Sequence, residues 1–291
     1  MNLQNIISEI EKVDPEVYDR LDTRRKAMKK FANLSGKVAL ASLPIAFGSM
    51  LNKAYGKSSS LTDLISDTLN FALTLEYLEA AFYNKIVTTA GFATASTADQ
   101  TALKKIQADE NAHVAFLKAG LGAAAKPSPT FDLTGGKGSG NGPFKGYEAS
   151  YAVQLAMSQT FEDTGVRAYK GQATNLQGSR PFLTAALEIH SVEARHAAKI
   201  RQMRRVLDAA IPASQKPLKP WITLNYSGID YPLAQSAINL SYAGEEVTTQ
   251  ATVNIVGIGG NSFITANGAS EAFDEPLTMA DVLTIVGPFI V

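Results

Sequence analysis

The chain has 291 residues, of which 45% are hydrophobic and 19% charged, a composition typical of a globular protein with a sizeable core. Its 27 basic and 27 acidic residues cancel, and because no long basic block occurs, the composition argues against nucleic-acid binding. The absence of cysteine excludes disulfides, iron–sulfur clusters and thiolate zinc sites. Any metal must therefore be held by oxygen and nitrogen atoms, a ligand set that suits iron and manganese.

Residues 1–56 are a predicted N-terminal arm. A paired arginine within Thr23-Arg-Arg-Lys-Ala-Met-Lys29 precedes a mildly apolar run from Val38 to Leu51. This run is shorter than the roughly 20 apolar residues that cross a bilayer, so we expect no transmembrane span. The arrangement resembles a twin-arginine export signal, although Ala27 stands where such signals usually have a large apolar residue, and it predicts a periplasmic or otherwise exported protein. The alternative is a cytoplasmic protein whose amphipathic N-terminal helix packs on the domain or serves an interface.

Residues 57–211 are predicted to form four helices joined by two short links and one long one. Capping and breaking signals predict helices from Ser60 toward Gly91, from Ser96 to Gly120, from Tyr147 to Ala173, and from Ser179 to a point before Pro212. The segment Lys126 to Gly146 carries three prolines and six glycines, so it reads as a long connection that can cross the whole bundle. Two short-linked helix pairs joined by one crossover predict an all-α four-helix bundle.

Residues 212–291 are predicted to form an irregular C-terminal arm. The segment is rich in proline and glycine, with one or two strands expected near Ala251 to Val256. A short helix is expected at Met279 to Val286, capped by Thr278 together with Asp281. We expect the arm to pack on the bundle because its large apolar residues need cover, namely Trp221, Phe273, Phe289 and Ile290.

Two of the three histidines follow a glutamate by three residues, in Glu110-Asn-Ala-His113 and Glu193-Ala-Arg-His196. A lone pair of this kind is usually a solvated helix face, but a repeated one is hard to ascribe to composition. On a helix the spacing lets a carboxylate and an imidazole reach one ion. The other two helices each carry a glutamate near mid-length that is followed seven residues later by a tyrosine, namely Glu76 with Tyr83 and Glu162 with Tyr169. The chain therefore contains two copies of one pattern, Glu-x6-Tyr followed by Glu-x-x-His. The pattern predicts a dinuclear metal centre held by Glu76, Glu110, His113, Glu162, Glu193 and His196.

Charge favours metal binding over simple burial of these residues. Four ionised carboxylates facing an apolar core would cost many kcal/mol or be forced to protonate. Two divalent cations, iron or manganese, neutralise four carboxylates, and we expect Glu110 and Glu193 to bridge them.

Four further side chains are candidates for indirect roles beside the ligands: Tyr83, Tyr169, Glu79 and His190. The tyrosines are interpreted either as hydrogen-bond donors to ligand carboxylates or as ordinary core aromatics. Glu79 has Gly165 as its counterpart in the second half, so we expect an indirect role at most. His190 is expected to be hydrogen-bonded or partly exposed. Asp109 and Asp163 adjoin ligands in sequence, and since adjacent helix positions point elsewhere, both are expected to be solvated.

At these residues the sequence resembles the ferritin-like superfamily, and more closely the bacterial ferritin-like proteins related to plant desiccation-related proteins. The motifs that carry the resemblance are Leu75-Glu-Tyr-Leu-Glu-Ala-Ala-Phe-Tyr83, Asp109-Glu-Asn-Ala-His113, Phe161-Glu162 and Val192-Glu-Ala-Arg-His196. The resemblance spans residues 61–211, and the stretch Ala272 to Leu277 is also similar to bacterial members. It implies a ferritin-like four-helix bundle with di-iron or di-manganese chemistry. The long arms depart from iron-storage ferritins, so a homo-oligomer is compatible with the sequence but a mineral-filled cage is not expected.

Two functional hypotheses follow. In the first, the protein is a dinuclear oxidoreductase whose small-molecule substrate is dioxygen or peroxide, with catalase-like or ferroxidase-like chemistry. In the second, it is a non-catalytic stress or envelope protein, in which the metal pair is structural or sequestered and the arms form an interaction surface.

Overall fold

A computed structural model of the chain describes residues 59–207 and 211–291, with side chains from residue 63 onward. The predicted N-terminal arm lies outside the described residues, so the export signal stays a prediction. The helices are α1 (Ser59–Ile86), α2 (Ala90–Ala93), α3 (Thr97–Leu121), α4 (Tyr151–Gln172), α5 (Arg180–Val206), α6 (Gln235–Leu240), α7 (Ala266–Ser270) and α8 (Met279–Val286). Single 3₁₀ turns lie at Gly122–Ala124, Tyr147–Ala149, Ala173–Leu176, Ala213–Gln215, Ile258–Gly260 and Gly287–Phe289.

Serine or threonine caps lie at the starts of six of the eight described helices, α2 to α5, α7 and α8. The Ser96 hydroxyl accepts a hydrogen bond from the Asp99 amide at 3.1 Å and so begins α3 where the sequence predicts. Thr278 and Asp281 form the capping box expected at the start of α8. The start of α4 was predicted four residues too early, because a 3₁₀ turn precedes it and Ser150 is the residue that caps it.

The four long helices form an all-α bundle, as predicted. Asn84, near the end of α1, contacts Asn111 of α3 at 3.1 Å, whereas Asn70, near the start of α1, contacts Ala124 just beyond α3 at 3.1 Å. The two helices therefore run antiparallel. The pair α4 and α5 is joined by an equally short link, and the long connection between α3 and α4 crosses the bundle.

The crossover is ordered by one carboxylate. Asp132 accepts hydrogen bonds from the amide and hydroxyl of Thr134, at 3.0 and 2.6 Å, and from the amides of Gly138 and Gly140, both at 2.9 Å. The Asp132 amide donates to the Phe289 carbonyl at 2.8 Å, which ties the crossover to the C-terminal arm. These bonds hold in place a loop that has no regular secondary structure.

Apolar side chains fill the bundle at both ends. One cluster surrounds the start of α1 and includes Ile65, Leu69, Leu73, Leu117, Phe182 and Ile189. The other surrounds the end of α1 and includes Leu78, Phe82, Ile86, Leu103, Ile200 and Met203. The middle of the bundle, between these clusters, is left to polar side chains.

The C-terminal arm covers the far side of α4. Every residue of this helix from Gln154 to Tyr169 is buried, which a bundle helix achieves only when a further layer lies over its outer face. Arg167 anchors that layer, since its guanidinium donates to the carbonyls of Ser241 and Ala243 at 2.6 and 2.8 Å and pairs with Glu245 at 2.6 Å. The arm thus completes the burial of the helix that carries Glu162.

Two details of the predicted arm were wrong. Trp221 and Phe273 are 50% and 38% exposed, and beside Trp221 it is Ile222 that is buried; Phe289 is buried as expected. The strands are only the two-residue β1 (Thr249–Gln250) and β2 (Val253–Asn254). The intervening Ala251 and Thr252, predicted within a strand, form the turn with positive φ angles of 47° and 72°.

Within the described ranges, no helix is long and apolar enough to cross a membrane.

Candidate metal centre

The six predicted ligands converge at the middle of the bundle. Their side chains are all buried, and the four glutamates have 0% exposure. Helix α1 contributes one glutamate, α4 a second, and α3 and α5 a Glu-x-x-His pair each: Glu76, Glu162, Glu110 with His113, and Glu193 with His196. One turn of helix separates the members of each pair, so both side chains point into the core.

The six side chains form two overlapping groups. Ligand atoms of Glu76, Glu110, His113 and Glu193 lie within 4.8 Å of one another, and so do those of Glu110, Glu162, Glu193 and His196. Glu110 and Glu193 belong to both groups. Two overlapping groups could hold a pair of ions with two carboxylates shared between them.

Each imidazole faces several carboxylates through the same ring nitrogen. His113 Nδ1 lies 3.2 Å from Glu76 Oε2, 3.1 Å from Glu110 Oε2 and 3.2 Å from Glu193 Oε1. His196 Nδ1 lies 2.8 Å from Glu110 Oε1 and 3.2 Å from Glu162 Oε2. One nitrogen cannot donate one proton to several acceptors, so such convergence is typical of ligands around a cation.

Unsatisfied polar atoms provide the test of fit for metal. Five buried atoms at the centre lack a hydrogen bond of acceptable geometry, although several lie within ion-pair distance of an imidazole or a carboxylate: Glu110 Oε1, Glu162 Oε2, both carboxylate oxygens of Glu193, and His196 Nδ1. Leaving a buried polar atom unpaired costs about 1–3 kcal/mol, and more when it is charged. Carboxylate oxygens and imidazole nitrogen are the ligands that iron and manganese accept, so the residues fit a pair of such ions.

The residues of the bundle match one known protein family. Residues 65–206 match the family described as ferritin-like domain. This segment is a ferritin-like domain. No curated protein matches the chain.

Two tyrosines donate hydrogen bonds to the two glutamates that belong to only one ligand group each, Glu76 and Glu162. Tyr83 donates its hydroxyl hydrogen to Glu162 Oε1, and Tyr169 donates to Glu76 Oε1. Each tyrosine therefore serves the glutamate of the other half of the repeat and not the one seven residues before it. Burial and the adjacent carboxylate raise the pKa of each phenol well above its usual value, so both remain protonated donors.

The two histidines sit among carboxylates that favour their protonated forms. Burial alone would lower the pKa of His196. The nearby carboxylates of Glu162 and Glu110 raise it by more than burial lowers it, so the pKa is about 11. For His113 burial likewise lowers the pKa, and Glu110 and Glu193 raise it far above the usual range. Burial and the charge of Glu110 also raise the pKa of Glu193. Protons and metal ions therefore compete for the same side chains.

Asp109 was predicted to be solvated, and this was wrong. Its side chain is 25% exposed, pairs with Lys105, and lies 3.2 Å from His196 Nε2, the ring nitrogen that faces away from the carboxylates. A carboxylate on the outer nitrogen of a metal-bound histidine fixes its orientation and tautomer. In the second half of the repeat, Val192 stands at the position before Glu193 that Asp109 occupies before Glu110. Only one of the two halves therefore supplies such a carboxylate.

We expect Asp109→Asn to weaken binding of the ion nearest His196 by about 10- to 100-fold and to leave the other ion within about twofold, because it removes the charge that orients one imidazole. Isothermal titration with manganese would resolve the two binding steps. Asp67→Asn, at an exposed position of α1, is the matched control. Equal weakening of both steps would contradict a role confined to His196.

Glu79 lies at the edge of the centre. It is buried but belongs to neither ligand group. A Cβ atom at position 165 would lie 3.3 Å from Glu79 Oε1 and 3.5 Å from Glu193 Oε2, so the glycine there leaves space for both carboxylates. Burial and the charge of Glu193 raise the pKa of Glu79 well above its usual value. Glu79 thus adds a fifth buried carboxyl group beside four potential ligands.

His190 lies outside the centre. Its Nδ1 is 2.9 Å from the Val166 carbonyl and its side chain is half-buried. It contacts the backbone of α4 and does not face the carboxylates.

Asp163 is the second wrong expectation of solvation. It is 3% exposed, its carboxylate pairs with Arg201 at 2.5 Å, and it accepts a hydrogen bond from Tyr242 at 2.7 Å. A signal for this was present in the sequence, since Gln159, Asp163 and Arg167 recur every four residues along α4 and form a polar stripe. Such a stripe on a bundle helix indicates a polar partner, which here is the C-terminal arm.

Proposed function

We propose that this protein holds two iron or manganese ions and carries out redox chemistry on dioxygen or peroxide. The observation that carries the proposal is the pair of overlapping ligand groups whose buried oxygen and nitrogen atoms lack hydrogen-bond partners. When bound, the two ions supply two electrons, which with two protons reduce dioxygen to hydrogen peroxide, or hydrogen peroxide to two waters.

The surrounding side chains hold the ligands in place. Tyr83 donates a hydrogen bond to one oxygen of Glu162, and the other oxygen faces His196 Nδ1 at 3.2 Å, where an ion could bind both. Tyr169 does the same for Glu76 Oε1, while Glu76 Oε2 faces His113. Fixing one oxygen of each terminal carboxylate orients the other and lowers the entropy lost on metal binding.

Metal uptake should release protons. Since the pKa of His196 is about 11 and that of His113 is also raised, both imidazoles are protonated at pH 7 and must lose a proton to bind metal. We expect release of at least two protons per pair of ions, because the pKa of the shared ligand Glu193 is raised as well, and an affinity for each ion that rises at least about tenfold per pH unit between pH 6 and 8. Isothermal titration in two buffers of different ionisation enthalpy measures this release. A pH-independent affinity would contradict the competition between protons and metal.

Loading and turnover test the proposed function together. Purified protein is loaded with iron(II) or manganese(II), analysed for metal, and mixed with dioxygen or hydrogen peroxide in a stopped-flow instrument. We expect about two ions per chain and rapid oxidation in the wild type, whereas His196→Ala, which removes one ligand of the second group alone, should retain about one ion and lose the rapid oxidation. Fewer than two ions in the wild type would refute the dinuclear centre.

One observation favours a second candidate function. The four glutamates have 0% exposure, which suits a structural or sequestered metal pair as well as a reactive one. In that case the metal stabilises the bundle and the arms supply the interaction surface of a stress or envelope protein. Two bound ions without any turnover would favour this candidate.

We also propose export through the twin-arginine route, on the strength of the paired arginine alone. The mass of the mature chain tests this proposal, because cleavage near Lys57 would remove the arm.

A further inference from the structure

An apolar cavity lies between α1, α3, α4 and α5, beside the metal centre. Its volume is about 20 Å³, and its lining is almost wholly aliphatic or aromatic. It reaches Tyr169, which donates to Glu76, and Leu75, the residue before that glutamate. The remaining lining residues that matter here are Thr68, Ala72, Gln172, Ala186 and Ile189.

The cavity offers almost nothing to a polar molecule. The Tyr169 hydroxyl donates its hydrogen bond to Glu76. The Gln172 carboxamide donates to the Leu277 carbonyl and accepts a hydrogen bond from Asn175. Only the Thr68 hydroxyl is left without a partner, and this residue is 2% exposed. A buried water needs two to four polar partners, so a single hydroxyl does not retain one and the cavity stays dry.

We infer that this cavity admits dioxygen to the metal centre and excludes peroxide; the inference rests on the proposed function and assigns the cavity to one of its two oxidants. Dioxygen is apolar and gives up no hydrogen bonds on entering. Hydrogen peroxide would give up several, at a cost of roughly 2–7 kcal/mol for each polar group left unpaired. The cavity volume of about 20 Å³ exceeds the ~10–15 Å³ that one water molecule requires, so the cavity has room for a diatomic molecule but not for a larger substrate.

A polar oxidant would instead approach on the side of the histidines. His113 and His196 retain 9% and 6% exposure, whereas the four glutamates have none. The two oxidants thus have separable routes, and a change in the cavity should affect only one of them.

Xenon tests the cavity without any metal, because dry apolar cavities bind it. Metal-free full-length protein under xenon pressure should show shifts of the methyl resonances of Leu75, Ala186 and Ile189. Shifts confined to other methyl groups, or no shifts, would refute the cavity as an apolar binding site. A failure to bind metal would instead refute the proposed function and leave the xenon result unaffected.

A filled cavity tests the route. We expect Ala186→Leu to abolish the xenon shifts and to slow oxidation of the iron(II)-loaded protein by dioxygen about tenfold, while oxidation by peroxide stays within about twofold. Ala185→Leu is the matched control, since this buried neighbour on α5 does not line the cavity. Equal slowing of both oxidants, or of neither, would overturn the inference.

Thr68→Val provides a second test of the cavity if Ala186→Leu prevents folding. It removes the unpartnered hydroxyl at constant shape, so xenon should bind at least as tightly and the reaction with dioxygen should not slow. Weaker xenon binding in this variant would show that the site depends on a hydrogen bond and would overturn the inference.

Discussion

Glu110→Gln is expected to remove both metal ions, whereas Glu76→Gln is expected to remove one. Glu110 belongs to both ligand groups and Glu76 to only one of them. Replacing the shared carboxylate takes a ligand and a negative charge from each ion, so metal content should fall from about two per chain to close to none. Replacing Glu76 leaves the group around His196 complete, so about one ion should remain. Elemental analysis after exhaustive dialysis measures both.

The other two glutamates of the centre test the same prediction independently. Glu193→Gln should behave like Glu110→Gln, and Glu162→Gln like Glu76→Gln, because the two halves of the repeat are equivalent. Glu188→Gln, at an exposed position of α5, is the control for loss of one surface charge. If all four variants at the centre retained the same metal content, carboxylate sharing would be refuted.

The repeated Glu-x6-Tyr and Glu-x-x-His pattern explains why the convergence of the six side chains could be predicted. Helical periodicity fixes which residues share a face, and short links fix which helices are neighbours. The six predicted ligands are therefore brought together by features that are local in sequence. The family match at residues 65–206 agrees with the all-α bundle that these features predict.

The hydrogen-bond partners of the side chains around the centre could not be predicted, because they lie on segments that are distant in sequence. Tyr83 and Tyr169 lie two turns from their own glutamates, yet each bonds to the glutamate of the opposite helix, because a side chain in a packed bundle reaches across the core. Asp109 and Asp163 were placed on solvated faces by helical geometry alone. The first is met by a histidine of α5, and the second by an arginine of α5 and a tyrosine of the C-terminal arm.

Breaking the buried pair of Asp163 and Arg201 should strongly destabilise the ferritin-like domain. Both side chains are almost fully buried, at 3% and 1% exposure, and Tyr242 of the arm donates to the same carboxylate. Removing one member of a buried ion pair leaves an uncompensated charge, so Asp163→Ala should lower the free energy of unfolding of the metal-free protein by about 3–5 kcal/mol. Urea denaturation followed by circular dichroism measures the change.

A double variant separates the loss of the pair from the loss of packing. Replacing both partners, as Asp163→Ala with Arg201→Met, removes the stranded charge together with the carboxylate, so most of the lost stability should return. The exposed pair of Lys85 and Glu148, 3.0 Å apart and about half-exposed, is the control: Glu148→Ala should cost no more than about 1 kcal/mol. If Asp163→Ala cost as little, the buried ion pair of Asp163 and Arg201 would have no special role in stability.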